Sequence, residues 1–179
     1  MLIARKLLET GDAEGALAQL ETALVYPENL GEGKTNRAQD QRVRYQLGQT
    51  LLAMDRTDEA EAAFRALLER ECIFGDGFYY QGLALRALGD EAGAKAKFES
   101  LLADAEALKA KEVIPDFTRS FSTLFYWPED AQTEQQVIAH YLIGLARLGL
   151  GDEDAARLAF EAVLALDANH FETLMVLMK

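Results

Sequence analysis

Four stretches of the chain set a small residue and a large apolar one four positions apart: Ala16 and Leu20, Ala60 and Phe64, Ala94 and Phe98, Ala156 and Phe160. That spacing puts each pair on one face of a helix. The alanine lets a neighbouring helix approach, and the larger side chain fills the space beside it. Before each stretch lies a turn, at Gly11-Asp12, Asp55-Arg56-Thr57, Gly89-Asp90 and Gly151-Asp152. Glycine there predicts a left-handed helix stop, and Asp12, Thr57, Asp90 and Asp152 are the expected N-caps of the helices that follow. Upstream of three turns runs a second helical pattern: "YQLGQTLLAM" from Tyr45, "YQGLALRAL" from Tyr80 and "YLIGLARLGL" from Tyr141. Gly48, Gly82 and Gly144 each stand seven residues before a turn. A glycine inside a helix costs about 1 kcal/mol relative to alanine, so its return at one register predicts close helix–helix contact.

These positions together resemble the tetratricopeptide repeat, a helix–turn–helix unit of about 34 residues. The resemblance rests on Leu47-Gly48 and Ile143-Gly144, on the Gly-Asp turns, and on the Ala/Phe pairs. Gln81 stands where the apolar residue belongs, and Ala168 replaces the closing proline. The fold class implied is all-α, a superhelix of helix pairs. Repeats are placed at about 1–27, 39–71, 76–104 and 135–167, with a helical insertion at about 105–134 and a capping helix at about 169–178. That last helix is expected to start at Asn169 and to lay Phe171, Leu174, Met175 and Leu177 on the final pair. The turns are separated by 44, 34 and 62 residues, so the first and last gaps carry extra chain. With ten residues before its turn the first repeat is short, which predicts that Met1 lies inside a longer protein. "PENLGEGK" (Pro27 to Lys34) also resembles the helical C-terminal part of uncharacterised bacterial multidomain proteins that carry an N-terminal β-rich domain.

Charge narrows the function. A net charge of −12 over 179 residues opposes general binding to nucleic acid or to an anionic membrane, both of which select basic surfaces. No apolar run reaches the roughly 20 residues of a membrane span. Cys72 is the single cysteine, so no internal disulfide forms and a reducing, cytoplasmic setting fits, unless a signal peptide precedes Met1.

"GEGKT" (Gly31 to Thr35) resembles the end of a phosphate-binding loop. Such a loop needs a glycine at position 28 and a strand before it; Glu28 and a helical pattern stand there instead. Pro27 ends that helix, and Asn36 or Asp40 begins the next. His140 and His170 lie in different elements with no cysteine or second histidine nearby, and no nucleophile–histidine–acid pattern occurs. The chain reads as non-enzymatic, with no metal and no cofactor.

In arrays of this family the first helix of each pair lines a groove. Carried over residue by residue, the resemblance implies partner contacts at Arg42, Tyr45, Gln49, Tyr79, Leu83, Arg86, Tyr141 and Leu145. The family members that clamp a terminal carboxylate use lysine and asparagine at such positions, which are tyrosine, glutamine and leucine here. The alternative for the tyrosines is packing between repeats. Five more aromatics, Phe117, Phe121, Phe125, Tyr126 and Trp127, cluster in the insertion. They are expected to fold into the groove, with docking on a neighbouring domain or self-association as the other arrangements. The function expected is an interaction scaffold for a protein or peptide, its own N-terminal domain included. A carbohydrate-binding module and a homodimerisation unit are the competing readings.

Overall fold

The computed structural model describes residues 2–25, 40–72, 75–113 and 128–178, and among these every regular element is an α-helix. In chain order they are α1 (Leu2–Glu9), α2 (Ala13–Ala23), α3 (Gln41–Ala53), α4 (Thr57–Leu68), α5 (Gly77–Ala87), α6 (Glu91–Ala110), α7 (Pro128–Gly149), α8 (Glu153–Leu166) and α9 (Phe171–Leu177). The fold is all-α. The chain divides into two units, residues 1–97 and 98–179, and α6 runs through the boundary.

One turn geometry is used four times. Gly11, Asp55, Gly89 and Gly151 have φ of 85°, 58°, 86° and 83°. At each the N–H of that residue donates three residues back (Gly11 to Leu8, 3.0 Å), and the next N–H donates five back (Asp12 to Leu7, 2.8 Å). Both bonds satisfy carbonyls that a helix end would leave orphaned. The residue after the left-handed one then caps the following helix. Asp12 accepts from Gly15 N at 2.8 Å, Asp90 from Gly93 N at 2.8 Å and Asp152 from Ala155 N at 3.2 Å.

The second turn departs from the expectation. Thr57 is the first helical residue, and the cap position falls on Arg56, which makes no side-chain cap bond. Its guanidinium instead forks onto the Glu59 carboxylate, at 2.7 Å twice. Asp55 therefore takes the left-handed conformation that glycine adopts freely and other residues adopt at a cost of about 1–2 kcal/mol, less for aspartate. Asp55→Gly is expected to raise stability by a few tenths to about 1 kcal/mol, the glycine's greater unfolded-state entropy offsetting part of the relief. A lower denaturant midpoint would contradict it.

In the first unit α1 packs on α2, α2 on α3, α3 on α4, and α5 on both α3 and α4. The alanine and the larger residue of each repeat do face inward: Ala16, Leu20, Ala60, Phe64 and Ala94 are at most 1% exposed. Leu47 packs against two clusters of that unit, one around Ala16 and Leu20 and the other around Ala60, Phe64 and Leu67. A Cβ added at Gly48 would lie 2.4 Å from Cε1 of Phe64, so only glycine lets this ring sit across α3.

The second unit repeats the device. A Cβ at Gly144 would lie 2.4 Å from Phe160, and one at Gly149 would lie 2.4 Å from Phe98. Pro128 opens α7, a position where its missing N–H costs nothing. Along α7, glutamines receive the end of α6: Gln135 Nε2 donates to the carbonyls of Leu108 and Lys111, and Gln136 Nε2 to that of Lys109 (2.9 Å). Gln132 Oε1 accepts from Val113 N at 2.9 Å. These amides take up carbonyls that the last turn of a helix leaves unpaired.

The end of the chain differs from expectation in two respects. The N-cap of α9 is His170, whose Nδ1 accepts from Thr173 N at 3.3 Å, and not Asn169. Thr173 is fully buried, whereas Phe171 and Leu177 are 48% and 43% exposed. The helix thus turns Thr173 inward, in place of Phe171 and Leu177 from the predicted face.

Candidate partner-binding face

Two first helices of the first unit, α3 and α5, bring the sequence-singled residues together. Tyr45 and Tyr79 each precede the helix glycine by three residues, which gives them the same register. They meet through Tyr80, with ring centroids 5.8 Å from Tyr45 to Tyr80 and 5.4 Å from Tyr79 to Tyr80. Tyr45 also leans on Phe64 at 5.8 Å, so its lower edge is core and its upper edge is surface. All three are half-buried. Gln49 and Leu83, one turn further along, are half-buried as well.

Burial raises all three phenols, and the charge of an arginine opposes it: Arg86 at Tyr45, and Arg42 at Tyr80. Tyr79 is pushed up to about 12, by burial first and then by Tyr45, against the pull of Arg86. At neutral pH the three hydroxyls are therefore uncharged. A raised phenol favours the folded state at pH values below the unfolded value of about 10, and that contribution is lost as pH climbs through about 12. Absorbance titration of the native protein should thus lag behind that of the denatured chain above pH ~10. Coincident curves would contradict the burial.

Sequence reading missed the support beneath this face. Asp40, 2% exposed, lies 3.1 Å from Arg44 Nε and 3.5 Å from Arg70 Nε. Gln81, also buried, donates to the carbonyl of Arg70 at 3.0 Å and accepts from Lys97 Nζ at 3.1 Å. Lys97 stands over the Phe78 ring, 5.1 Å from its centroid. Gln41 donates to the carbonyl of Glu71 at 3.3 Å. These links tie the residues just after α4 to the start of α3 and the middle of α5, and so hold the helices that carry Tyr45 and Tyr79. Gln81 in an apolar register was the signal that could have found them.

The remaining residues fall elsewhere. Tyr141 is 7% exposed and Leu145 1%, both in the core of the second unit. Tyr141 packs on Phe160 and on His170, with centroids at 6.3 and 5.1 Å. Phe117, Phe121, Phe125, Tyr126 and Trp127, like Gly31–Thr35, lie outside the described residues. Burial, then the charge of Lys109, holds His140 below the ordinary imidazole range, against Glu106. Among the described residues no three histidine, cysteine or acidic side chains are grouped to hold a metal, and no helix is long and apolar enough to cross a membrane.

Two family models described as tetratricopeptide repeat match the chain, one over residues 45–109 and one over residues 137–170, together more than half of it. No curated protein and no solved structure matches.

Proposed function

The chain belongs to the tetratricopeptide-repeat family, and we propose that it is a non-catalytic scaffold whose α3/α5 face holds a segment of a protein partner. Repeats of this kind mediate protein–protein interaction. The observation that supports the face is the junction of Tyr45, Tyr79 and Tyr80 between two first helices, on which the charges of Arg42 and Arg86 act. Tyrosine and arginine carry a disproportionate share of binding energy at interfaces. A half-buried ring offers a rigid plate at little entropic cost, and its hydroxyl gives the contact direction.

Panning a random peptide library against the folded protein tests the proposal. Enriched peptides should lose about tenfold or more of their affinity in Tyr79→Ala and in Arg86→Ala. Leu158→Ala, an exposed site on α8, should leave binding unchanged. Enrichment of nothing, or binding indifferent to both substitutions, would overturn it.

A further inference from the structure

We infer that Lys97 is a positioning residue of the α3/α5 face: by holding α5 at Phe78 and Gln81, it fixes the rotation at which Tyr79 and Tyr80 are presented. The inference rests on the reading of that face as a protein-binding surface and adds a residue that acts on it from α6.

Gln81 is where this chain departs from the repeat pattern, with an amide in an apolar register. It is 5% exposed, and a buried amide costs free energy unless it is hydrogen-bonded. Both of its ends are. Nε2 donates to the carbonyl of Arg70 at 3.0 Å, and Oε1 accepts from Lys97 Nζ at 3.1 Å. A carbonyl only accepts and an ammonium only donates, so the amide fits between them one way round. Leucine in its place would fill the space without choosing a direction. The bond from lysine is also charge-assisted, and such bonds are roughly twice as strong as neutral ones.

Lys97 holds α5 a second time. Its ammonium lies 5.1 Å from the centroid of the Phe78 ring, within the range of a cation–π contact. Positions 78 and 81 are three apart, and so are neighbours on one flank of the helix. Tyr79 and Tyr80 are the two residues between them. Successive helical residues point about 100° apart, so a helix gripped on one flank at two points has the directions of these two set as well. A small roll of α5 would be felt, because Tyr80 joins the other two rings, with centroids 5.8 Å from Tyr45 on α3 and 5.4 Å from Tyr79. The grip is passed on through Arg70, whose carbonyl holds Gln81 and whose Nε lies 3.5 Å from Asp40 at the start of α3.

The test compares Lys97→Met, which keeps the apolar stem and removes the donor, with Lys97→Arg, which keeps a donating cation. Isotope labelling of the tyrosine rings makes each visible by NMR. In Lys97→Met the ring signals of Tyr79 and Tyr80 are expected to move, while that of Tyr141, in the second unit, stays. Lys97→Arg should bring them back toward their wild-type positions. Library peptides that require Tyr79 should bind Lys97→Met about fivefold more weakly, and Lys97→Arg nearly as well as wild type. Phe160→Leu, a change in the core of the second unit, should cost stability and leave affinity alone, which separates positioning from general loosening. Should Lys97→Met fail to fold, adding Gln81→Leu removes the unpaired acceptor along with the donor. That double variant should fold and still bind weakly, because the Arg70 carbonyl is no longer tied to α5. Unmoved tyrosine signals in Lys97→Met, or shifts that Lys97→Arg fails to reverse, would overturn the inference. Wild-type affinity in Lys97→Met or in the double variant would do the same. A library that enriches nothing would overturn the scaffold reading alone, since the ring signals need no peptide.

Discussion

In Phe64→Ala, stability is expected to fall by about 3–5 kcal/mol, and adding Gly48→Ala is expected to restore part of the loss. Phe64 is 1% exposed, and its ring fills the space directly over Gly48. Taken alone, Gly48→Ala should gain about 1 kcal/mol of helix propensity. Here its Cβ would come within 2.4 Å of Cε1 and 2.6 Å of Cζ of that ring. A fully buried ring in a packed core cannot move aside cheaply, and overpacking of this kind costs about 1–3 kcal/mol. The single variant should therefore be neutral to destabilised, against its propensity. Once the ring is gone, the same methyl enters a cavity and its helical gain is realised. Urea unfolding of the wild type, the two single variants and the double variant measures the coupling. Gly144 and Phe160 make the same contact in the second unit and should behave alike. Additive effects at both sites would show that the glycines are tolerated for some other reason.

That contact was legible because two constraints converge on it. A large residue recurs four after an alanine, and a glycine recurs seven before three of the four turns, so the sequence shows both sides of the contact. The turns were equally plain where glycine and aspartate stand together. They were misread at Asp55, because aspartate there does the work of glycine, so the cap falls in the usual register on Arg56, one residue before Thr57. Periodicity also failed at α9. Its apolar residues suit more than one rotation, and the His170 cap with the buried Thr173 selects one that leaves Phe171 exposed. Position in the repeat likewise could not separate Tyr141 from Tyr45 and Tyr79. Tyr141 packs on Phe160 and also on His170, nearly thirty residues away in sequence and read only as an isolated histidine. Tyr80, one residue beyond the predicted stripe, turned out to join its two members.

The Asp40 cluster lay furthest from sequence reasoning, and its removal should be felt at the binding face. Asp40 had the look of an N-cap for α3. It occupies that position but makes no side-chain cap bond, and its carboxylate faces Arg44 and Arg70. In Asp40→Ala, two guanidinium groups would keep their partly buried places without that countercharge. Breaking a buried ion pair from one side costs about 3–5 kcal/mol. Since the arginine side chains are 21% and 25% exposed and can turn toward water, the lower end of that range is expected. Replacing the acid and both bases together, as Asp40→Leu with Arg44→Met and Arg70→Met, should recover most of the loss, because the desolvation penalty disappears with the charges. Peptide binding separates a merely stabilising role from a positioning one. The carbonyl of Arg70 is also the acceptor of Gln81, two residues from Tyr79, so slack at Asp40 reaches the helix that carries the ring. Asp40→Ala, assayed well below its melting temperature, should weaken binding of library peptides that require Tyr79, and the apolar triple should not restore it fully. Wild-type affinity in the single variant would confine the cluster to stability and leave the spacing of α3 and α5 to the apolar contacts around Phe64.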